Sequence, residues 1–535
     1  MKFVGKSIKR VDGIKKVTGS LKYVDDMKLP RMLYAGIKRS PYAHANIISI
    51  DTSEAEKLAG VKNVITGEYY TKRGGLYLED KNFLAVGKAR YRGEAVAAVS
   101  ATTPEIADRA VELIKVVYEE LPAVTNAVEG MKEDSPLVHP DLGEYKWAPV
   151  FFPVPGTNIS NHYKLRKGNV DEAFKNADEI VSNVFEVPHV QHVPIETHTA
   201  IAQMDADGFV TVWASCQSPY AVRQALSEAF DIQLNKIRVI SPAVGGGFGS
   251  KAGTTLEGIL IPLAMMSNGR PVKLTYSRED EFQNAYVRQG LHAKIETAVR
   301  KDGKILGVRN EFIWDGGAYT EYGVNIVKSA GYASAGPYDI DNVHTDSYCV
   351  YTNHPVGGPY RGFGMCEIHF GIEQNLDMIA RKLGISPIEM RRINGMKPGG
   401  TTATGEVVEV SGLQECLEQA AKDIELDVKT FSDSPNKVRG KAIACGWKAP
   451  SMPNNAASSA IIKLNEDATA HLLISAQDIG QGSDTVMTQI AAEVLSIEPD
   501  RITVRTGDTD HTPYEWQTVA SRITYSAGRA VVEAC

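Results

Sequence analysis

Hydrophobic positions along the chain alternate between strand-like and helix-like spacing. Residues 94–99 form a short apolar strand pattern. Thr103-Pro104 then supplies an N-cap and a proline at the first helical position. Ile106, Ala110, Val111, Leu113 and Ile114 fall on one helical face, and residues 116–118 resume a strand. Residues 1–125 are therefore expected to form a compact α+β unit. Residues 126–160 are richer in Pro, Gly, Asp and Glu and read as a connecting segment. Residues 161–400 form a second, larger mixed region. Its clearest helix runs through Ile368, Ile372, Leu376, Ile379 and Leu383 and stops at Gly384. Breaks at 397–402 and 431–435 mark residues 401–440 as a linker. Residues 441–535 begin a third strand–helix region.

One pattern occurs twice. Gln217 precedes a helical stretch from Ser218-Pro219 to Phe230, then Ile232-x4-Ile237-x-Val239. Gln481 precedes a helical stretch from Ser483 to Leu495, then Ile497-x4-Ile502-x-Val504. Coincidence is one explanation, because strand–helix–strand units are common. The other is two related lobes facing one ligand, each offering a glutamine.

Composition narrows the function classes. The chain has 535 residues, a net charge of -7 and ordinary globular proportions of apolar (43%) and charged (23%) residues. A mildly acidic chain lacks the basic face of a nucleic-acid binder. The longest apolar run, 258–266, is about half of the ~18 residues that span a membrane. No apolar leader follows the basic N-terminus, so a cytoplasmic protein is expected. Asn158-Ile159-Ser160 matches a glycosylation sequon that carries little weight without such a leader. Cys216, Cys349, Cys366, Cys416, Cys445 and Cys535 are dispersed. That spacing suits neither a disulfide scaffold, nor structural zinc, nor an iron–sulfur cluster held by this chain.

The candidate chemistry sits in glycine-rich loops. Gly245-Gly246-Gly247-Phe248-Gly249-Ser250-Lys251 follows a strand and allows close backbone approach to an anion or oxo group. It is neither a Walker loop nor the dinucleotide fingerprint. In Gly357-Gly358-Pro359-Tyr360-Arg361-Gly362-Phe363-Gly364, Arg361 suits a phosphate and Phe363 a flat substrate. Gln477-Asp478-Ile479-Gly480-Gln481-Gly482-Ser483 opens a helix, where anions bind. Val519-Ala520-Ser521-Arg522 offers a hydroxyl and a guanidinium. His189, His192, Glu196 and His198 lie close together, but their spacing is not a metal motif, and a hydrogen-bonded structural cluster is expected. Cys216 has no marked base that would make it a nucleophile. Each loop alone is also compatible with a ligand-free turn or a capped helix.

Taken in order, these motifs resemble the molybdenum-binding large subunit of the xanthine dehydrogenase/molybdenum hydroxylase family. The resemblance covers nearly the whole chain. Residues 22–26 and 40–45 resemble the family's N-terminal α/β hammerhead domain; GGGFGSK, PYRGFG, DIGQGSD and 519–535 resemble its cofactor loops. It implies an α+β fold: a hammerhead domain (1–125), then two elongated mixed α/β molybdopterin-binding lobes, 161–400 and an incomplete 441–535. It also implies molybdopterin with molybdenum, as the cytosine dinucleotide. Gln217 would approach the metal's apical ligand, with Gly247, Phe248 and Gly249 beside metal and pterin. Arg361, Gly480, Gln481, Ala520, Ser521 and Arg522 would hold pterin, phosphates or the metal's surroundings, the metal's neighbours being Gln217, Phe248, Arg361 and Ala520. Phe363 would stack on substrate. The implied reaction is hydroxylation with water as oxygen source, a glutamate as base, and electrons leaving through two-iron two-sulfur clusters to FAD.

Two departures sharpen this. Purine-oxidising members carry an acidic residue and an arginine where this chain has Ala252 and Ser329, which argues against a purine and for an aromatic N-heterocycle, an aromatic thioester or an aldehyde. The family's C-terminal base glutamate has no counterpart before Cys535. A hetero-oligomer is therefore expected, with a C-terminal molybdopterin-domain chain, an iron–sulfur subunit and an FAD subunit, and with such complexes able to pair. The alternatives are a non-catalytic cofactor-binding scaffold, or a glycine-rich nucleotide-binding protein of another class.

Overall fold

The computed structural model describes residues 1–428, 430–432, 434–448 and 456–535. Asp433, within the second predicted break, lies outside the described residues. The local rules of the first region hold. The strand is Ala95–Ala101, and the Thr103 side chain accepts the Ile106 N–H to cap the helix Pro104–Leu113. Ala107 and Ala110 of that helix are buried against the strand's Ala97 and Val99.

Tertiary pairing then joins regions that look separate in sequence. Leu33–Arg39 pairs antiparallel with Ala95–Ala101 on one side and parallel with Val272–Thr275 on the other. The result is one seven-stranded sheet that continues through Thr199–Met204 and Val210–Ala214 to Ile237–Ile240. A second, five-stranded sheet has Ile305–Gly317 at its centre, flanked by Gly290–Val299 and Asn342–Tyr351. The helix Met365–Leu383 lies on it, with Gly371 against Ile295 and Phe185, and ends at Gly384 in the left-handed conformation. This sheet and its helices surround the largest core. The segment 126–160 is more than a connection, because Val138, Leu142, Tyr145 and Phe151 are buried in that core. Asn158 is also buried there, donating to the carbonyls of Gly130 and Pro136, and cannot accept a glycan.

The third region is a three-stranded sheet, Ala460–Leu464, Ala470–Ile474 and Ile502–Arg505, packed on the helices Ser483–Leu495 and Ile523–Ala534. Phe3 joins its core, and the Glu493 carboxylate accepts the N–H groups of Lys2, Phe3 and Val4. The N-terminal arm thus belongs physically to the C-terminal region.

The internal repeat is structural. In each copy the middle strand pairs antiparallel with the preceding strand and parallel with the strand after the helix. Both helices end on a left-handed residue, Asp231 or Ser496, before a short 3-10 turn. Counting from the middle strands shifts the sequence pairing. Gln217 lies three residues beyond Ala214, and the residue three beyond Ile474 is Gln477, not Gln481. Gln217 Nε2 donates to the Thr518 carbonyl in the second lobe (2.9 Å), and Gln477 Nε2 donates to the Pro242 carbonyl in the first (2.7 Å). Among the described residues, no helix is long and apolar enough to cross a membrane.

Candidate molybdopterin site

Between the lobes lies a cavity of ≈ 2110 Å³. It is walled by Gly247, Phe248 and Gly249, by Arg361 and Phe363, by Gly480 and Gln481, and by Ala520 and Ser521, with Gln217 and Ser329 between them. All three glycine loops and the 519–521 turn therefore converge from positions far apart in sequence.

Each loop is held by buried side chains. Gln217 is 3% exposed. Its Oε1 accepts the Gly249 N–H (2.8 Å) while its amide nitrogen reaches Thr518, so one side chain ties the two lobes together. Glu196 accepts the Gly245 N–H (2.7 Å) and pairs with buried Lys251 (2.8 Å), bracing both ends of the same loop. His198 bridges Glu281 and the Ser250 carbonyl. The neighbouring loop is clamped too: His192 Nε2 contacts the Pro359 carbonyl (2.8 Å), and the Tyr360 ring packs between His192 and the Arg288 guanidinium. Arg288 pairs with buried Glu367 (2.8 Å) and donates to the Arg361 carbonyl. Burial pushes the His192 imidazole down to about 4, which keeps it neutral. The His189–His198 run is the expected hydrogen-bonded cluster, and three of its four members brace loops that wall the cavity. His189 turns away, grouping with Asp315 and His354 within 4.8 Å, where Asp315 already accepts from His354 (2.7 Å) and Thr352 (2.5 Å). Sequence spacing could not assign these partners, which lie 49 to 167 residues away.

Two candidate residues do not line the cavity. Arg522 is 1% exposed and pairs with buried Glu515 while donating to the carbonyls of Gln517 and Ala456. It braces the 517–521 turn from behind. Ala252 is fully buried, because the tight turn closed by its N–H on the Gly249 carbonyl directs it into the core. Ser329 does reach the wall, so the two positions compared with the purine-oxidising members are separated. Cys216 is also buried, with its thiol pushed up to about 12 by burial, which removes it as a nucleophile.

The cavity wall has the chemistry of an anion-binding site. Phe248, Phe363, Ala520 and Ser521 all have left-handed backbones (φ 54° to 57°), a strain of about 1–3 kcal/mol each that clusters at functional sites. Among the described residues, no protein acceptor takes the N–H of Gly246, Gly247, Phe248, Ala520 or Ser521. The Arg361 backbone is fixed, its N–H donating to the Phe248 carbonyl (2.9 Å), but its exposed guanidinium has no carboxylate partner among the described residues.

Comparison with known proteins agrees with that geometry. Residues 151–395 and 416–535 match two molybdopterin cofactor-binding domain models, and 18–122 match the aldehyde oxidase and xanthine dehydrogenase a/b hammerhead domain. The xanthine dehydrogenase molybdenum-binding subunit of Escherichia coli O157:H7 is 32% identical over 541 residues, covering 98% of this chain and 70% of that one. The chain belongs to this molybdenum-binding family. The nicotinate dehydrogenase large molybdopterin subunit of Eubacterium barkeri is 34% identical over 422 residues, spanning 78% of this chain and 95% of that one. The aldehyde oxidoreductase structure from Desulfovibrio gigas superimposes with a TM-score of 0.86 at 27% identity, covering 99% of this chain and 59% of that one. The cavity walled by the unpartnered donors and the strained loops thus lies between the segments that match the two molybdopterin cofactor-binding domains.

The DIGQGSD loop of this site is built around two neighbouring carboxylates, Asp478 and Asp484. Asp478 accepts the N–H groups of Gly480 (2.8 Å), Gly482 and Asp484, and Arg10 reaches it from the N-terminal arm. Burial, then the negative charges of Asp478 and Asp12, raise the Asp484 carboxyl to about 7 from 3.8. A raised carboxyl costs stability as pH climbs from the unfolded value toward the folded one, and the loss is complete above 7. Asp484→Asn is therefore expected to stabilise the fold at pH 8 by up to about 4 kcal/mol and to change little near pH 4. Denaturation of both proteins at the two pH values measures this; an equal effect at each would refute it.

Proposed function

We propose that this chain is the molybdopterin-binding subunit of a cytoplasmic, multi-subunit hydroxylase or dehydrogenase that oxidises a flat N-heteroaromatic compound with water as oxygen source. The observation that carries the reading is the set of strained, donor-rich loops around one interlobe cavity, with Arg361 on its wall and without a carboxylate partner among the described residues. When bound, the cofactor supplies a two-electron redox centre whose product oxygen comes from water. The chain's own residues bind and orient it. The free N–H groups of the 246–248 and 520–521 turns suit its oxygens, and Arg361 suits a phosphate, as the cytosine dinucleotide form offers. Gln217, fixed at both ends of its amide, sets the spacing of the two lobes around the metal. The Phe363 ring, held rigid by its turn, offers a face to an aromatic substrate.

The relatives support the finer points. The nicotinate dehydrogenase subunit, spanned over 95% of its length, is named for an N-heterocyclic substrate and for one subunit of a larger enzyme. Iron–sulfur and FAD centres, and the base glutamate, are assigned to partner chains on the same reading.

The test is metal and cofactor analysis of the natively purified complex with its copurifying chains identified, followed by steady-state assays on heterocycles, aromatic thioesters, aldehydes and xanthine. Absence of molybdenum would overturn the proposal, and xanthine as the best substrate would overturn the substrate class. Arg361→Ala should sharpen the result. A charge-assisted contact contributes about 1.5–3 kcal/mol, whereas an exposed loop substitution usually shifts stability by within about 0.5 kcal/mol. Cofactor content should therefore fall about tenfold or more while the melting temperature barely moves. Full cofactor content with a lowered melting temperature would refute the assignment.

A further inference from the structure

The helix Gly323–Tyr332 turns one polar face to the cavity. Asn325, Lys328, Ser329 and Tyr332 line the wall at i, i+3, i+4 and i+7 spacing, while Val324, Ile326, Val327 and Ala330 are buried in the main core. The Phe363-Gly364 turn rests on this same helix, since a Cβ at Gly364 would lie 3.1 Å from that of Ala330. Aromatic side chains extend the wall: the rings of Tyr77 and Phe151 lie 4.9 Å apart, and Asn325 donates to the Tyr77 hydroxyl.

Lys328 is the cation of this face. Its ammonium lies 5.7 Å from the Phe151 ring centre. The carboxylates that line the cavity are otherwise engaged: Glu196 pairs with Lys251, Asp25 pairs with Lys273, and Asp26 accepts the Tyr23 N–H. Among the described residues no carboxylate pairs with Lys328. A half-buried cation against an aromatic wall, without a counter-ion, favours a ligand that brings its own negative charge.

We propose that Lys328 recognises an anionic group on the substrate, and that the substrate is a flat heteroaromatic acid whose ring lies against Phe363 and whose carboxylate meets the Lys328 ammonium. Asn325, one turn before Lys328, and Ser329, the next residue, both on the cavity wall, supply neutral hydrogen bonds to the same group. This deepens the functional reading above and rests on it.

The complete complex is assayed with pyridine-3-carboxylate and with pyridine-3-carboxamide, which differ only in charge and donor capacity. The wild type is expected to favour the acid. In Lys328→Gln the acid-to-amide ratio of kcat/KM should fall about ten- to a hundredfold, chiefly through KM for the acid, and Lys328→Arg should restore most of it. Calorimetric binding of pyridine-3-carboxylate to the same proteins gives a readout independent of turnover. It should weaken in Lys328→Gln, survive in Lys328→Arg and fade with salt. A wild type that favours the amide, or a Lys328→Gln variant with unchanged ratio and binding, would overturn the proposal. If the complex lacks molybdenum the functional reading fails, and the binding comparison still decides the role of Lys328.

Discussion

Arg522→Met is expected to cost about 3–5 kcal/mol of folding free energy and to empty the cofactor site, although Arg522 does not line it. Its side chain is wholly enclosed, and the buried Glu515 carboxylate depends on it for charge balance. Removing one partner of such a pair leaves an uncompensated charge in a poorly solvated place. The carbonyls of Gln517 and Ala456 and the Ser458 hydroxyl lose a donor as well. Gln517 begins the turn that carries Ala520 and Ser521, so the left-handed backbone facing the cofactor loses its support. The check is denaturation together with molybdenum content. The double variant Arg522→Met/Glu515→Gln, which leaves no charge behind, should recover part of the loss. A single variant of wild-type stability would show that the pair contributes nothing.

Gly249→Ala should be the most damaging change of a single methyl group. Gly249 has φ +113°, and a Cβ there would lie 2.0 Å from the Pro359 carbonyl oxygen. Strain of that kind costs about 1–3 kcal/mol before the collision is counted. The obstructing atom is backbone, in a segment clamped by His192 and Arg288, so it cannot swing aside. The two loops must separate, breaking the Arg361–Phe248 backbone hydrogen bond and the Gly249 N–H to Gln217 contact. Molybdenum per purified complex is expected to drop more than about tenfold, since 1.4 kcal/mol already corresponds to a factor of ten. By contrast, a Cβ at Gly480 meets nothing within 4 Å, and alanine there acts only through its positive φ. Equal molybdenum content in wild type and Gly249→Ala would show that the loops are not packed backbone to backbone.

Much of this site is legible in the chain itself, for a physical reason. Secondary structure depends on neighbours, so the Thr103 cap, the Ile368–Leu383 stripe and the helix from Ser483 to Leu495 can be read from spacing alone. Cofactor loops are also local, because glycines at fixed intervals around one Phe or Arg encode a backbone path. That is why eleven of the thirteen candidate residues meet in one cavity, and why the loop order led to the family.

The interactions that hold those loops join residues distant in sequence. Nothing near Glu196 indicates Gly245; nothing near Arg10 indicates Gly480, 470 residues away. The Gln217–Gln477 correspondence emerges only from strand register, since counting back from the helices gives Gln481. Arg522 and Ala252 carry the right motif context but point away from the cavity, because a motif specifies the backbone path and packing decides which side of it is buried. Lys328 has no motif, and its character comes from which face of its helix the core leaves open and from its having no carboxylate ion-pair partner among the described residues. Local sequence thus determined the elements and the loops that can meet a cofactor. Tertiary structure decided which side chains brace them, which enter the cavity and where an unbalanced charge remains, because burial and charge pairing depend on every element packed around the site.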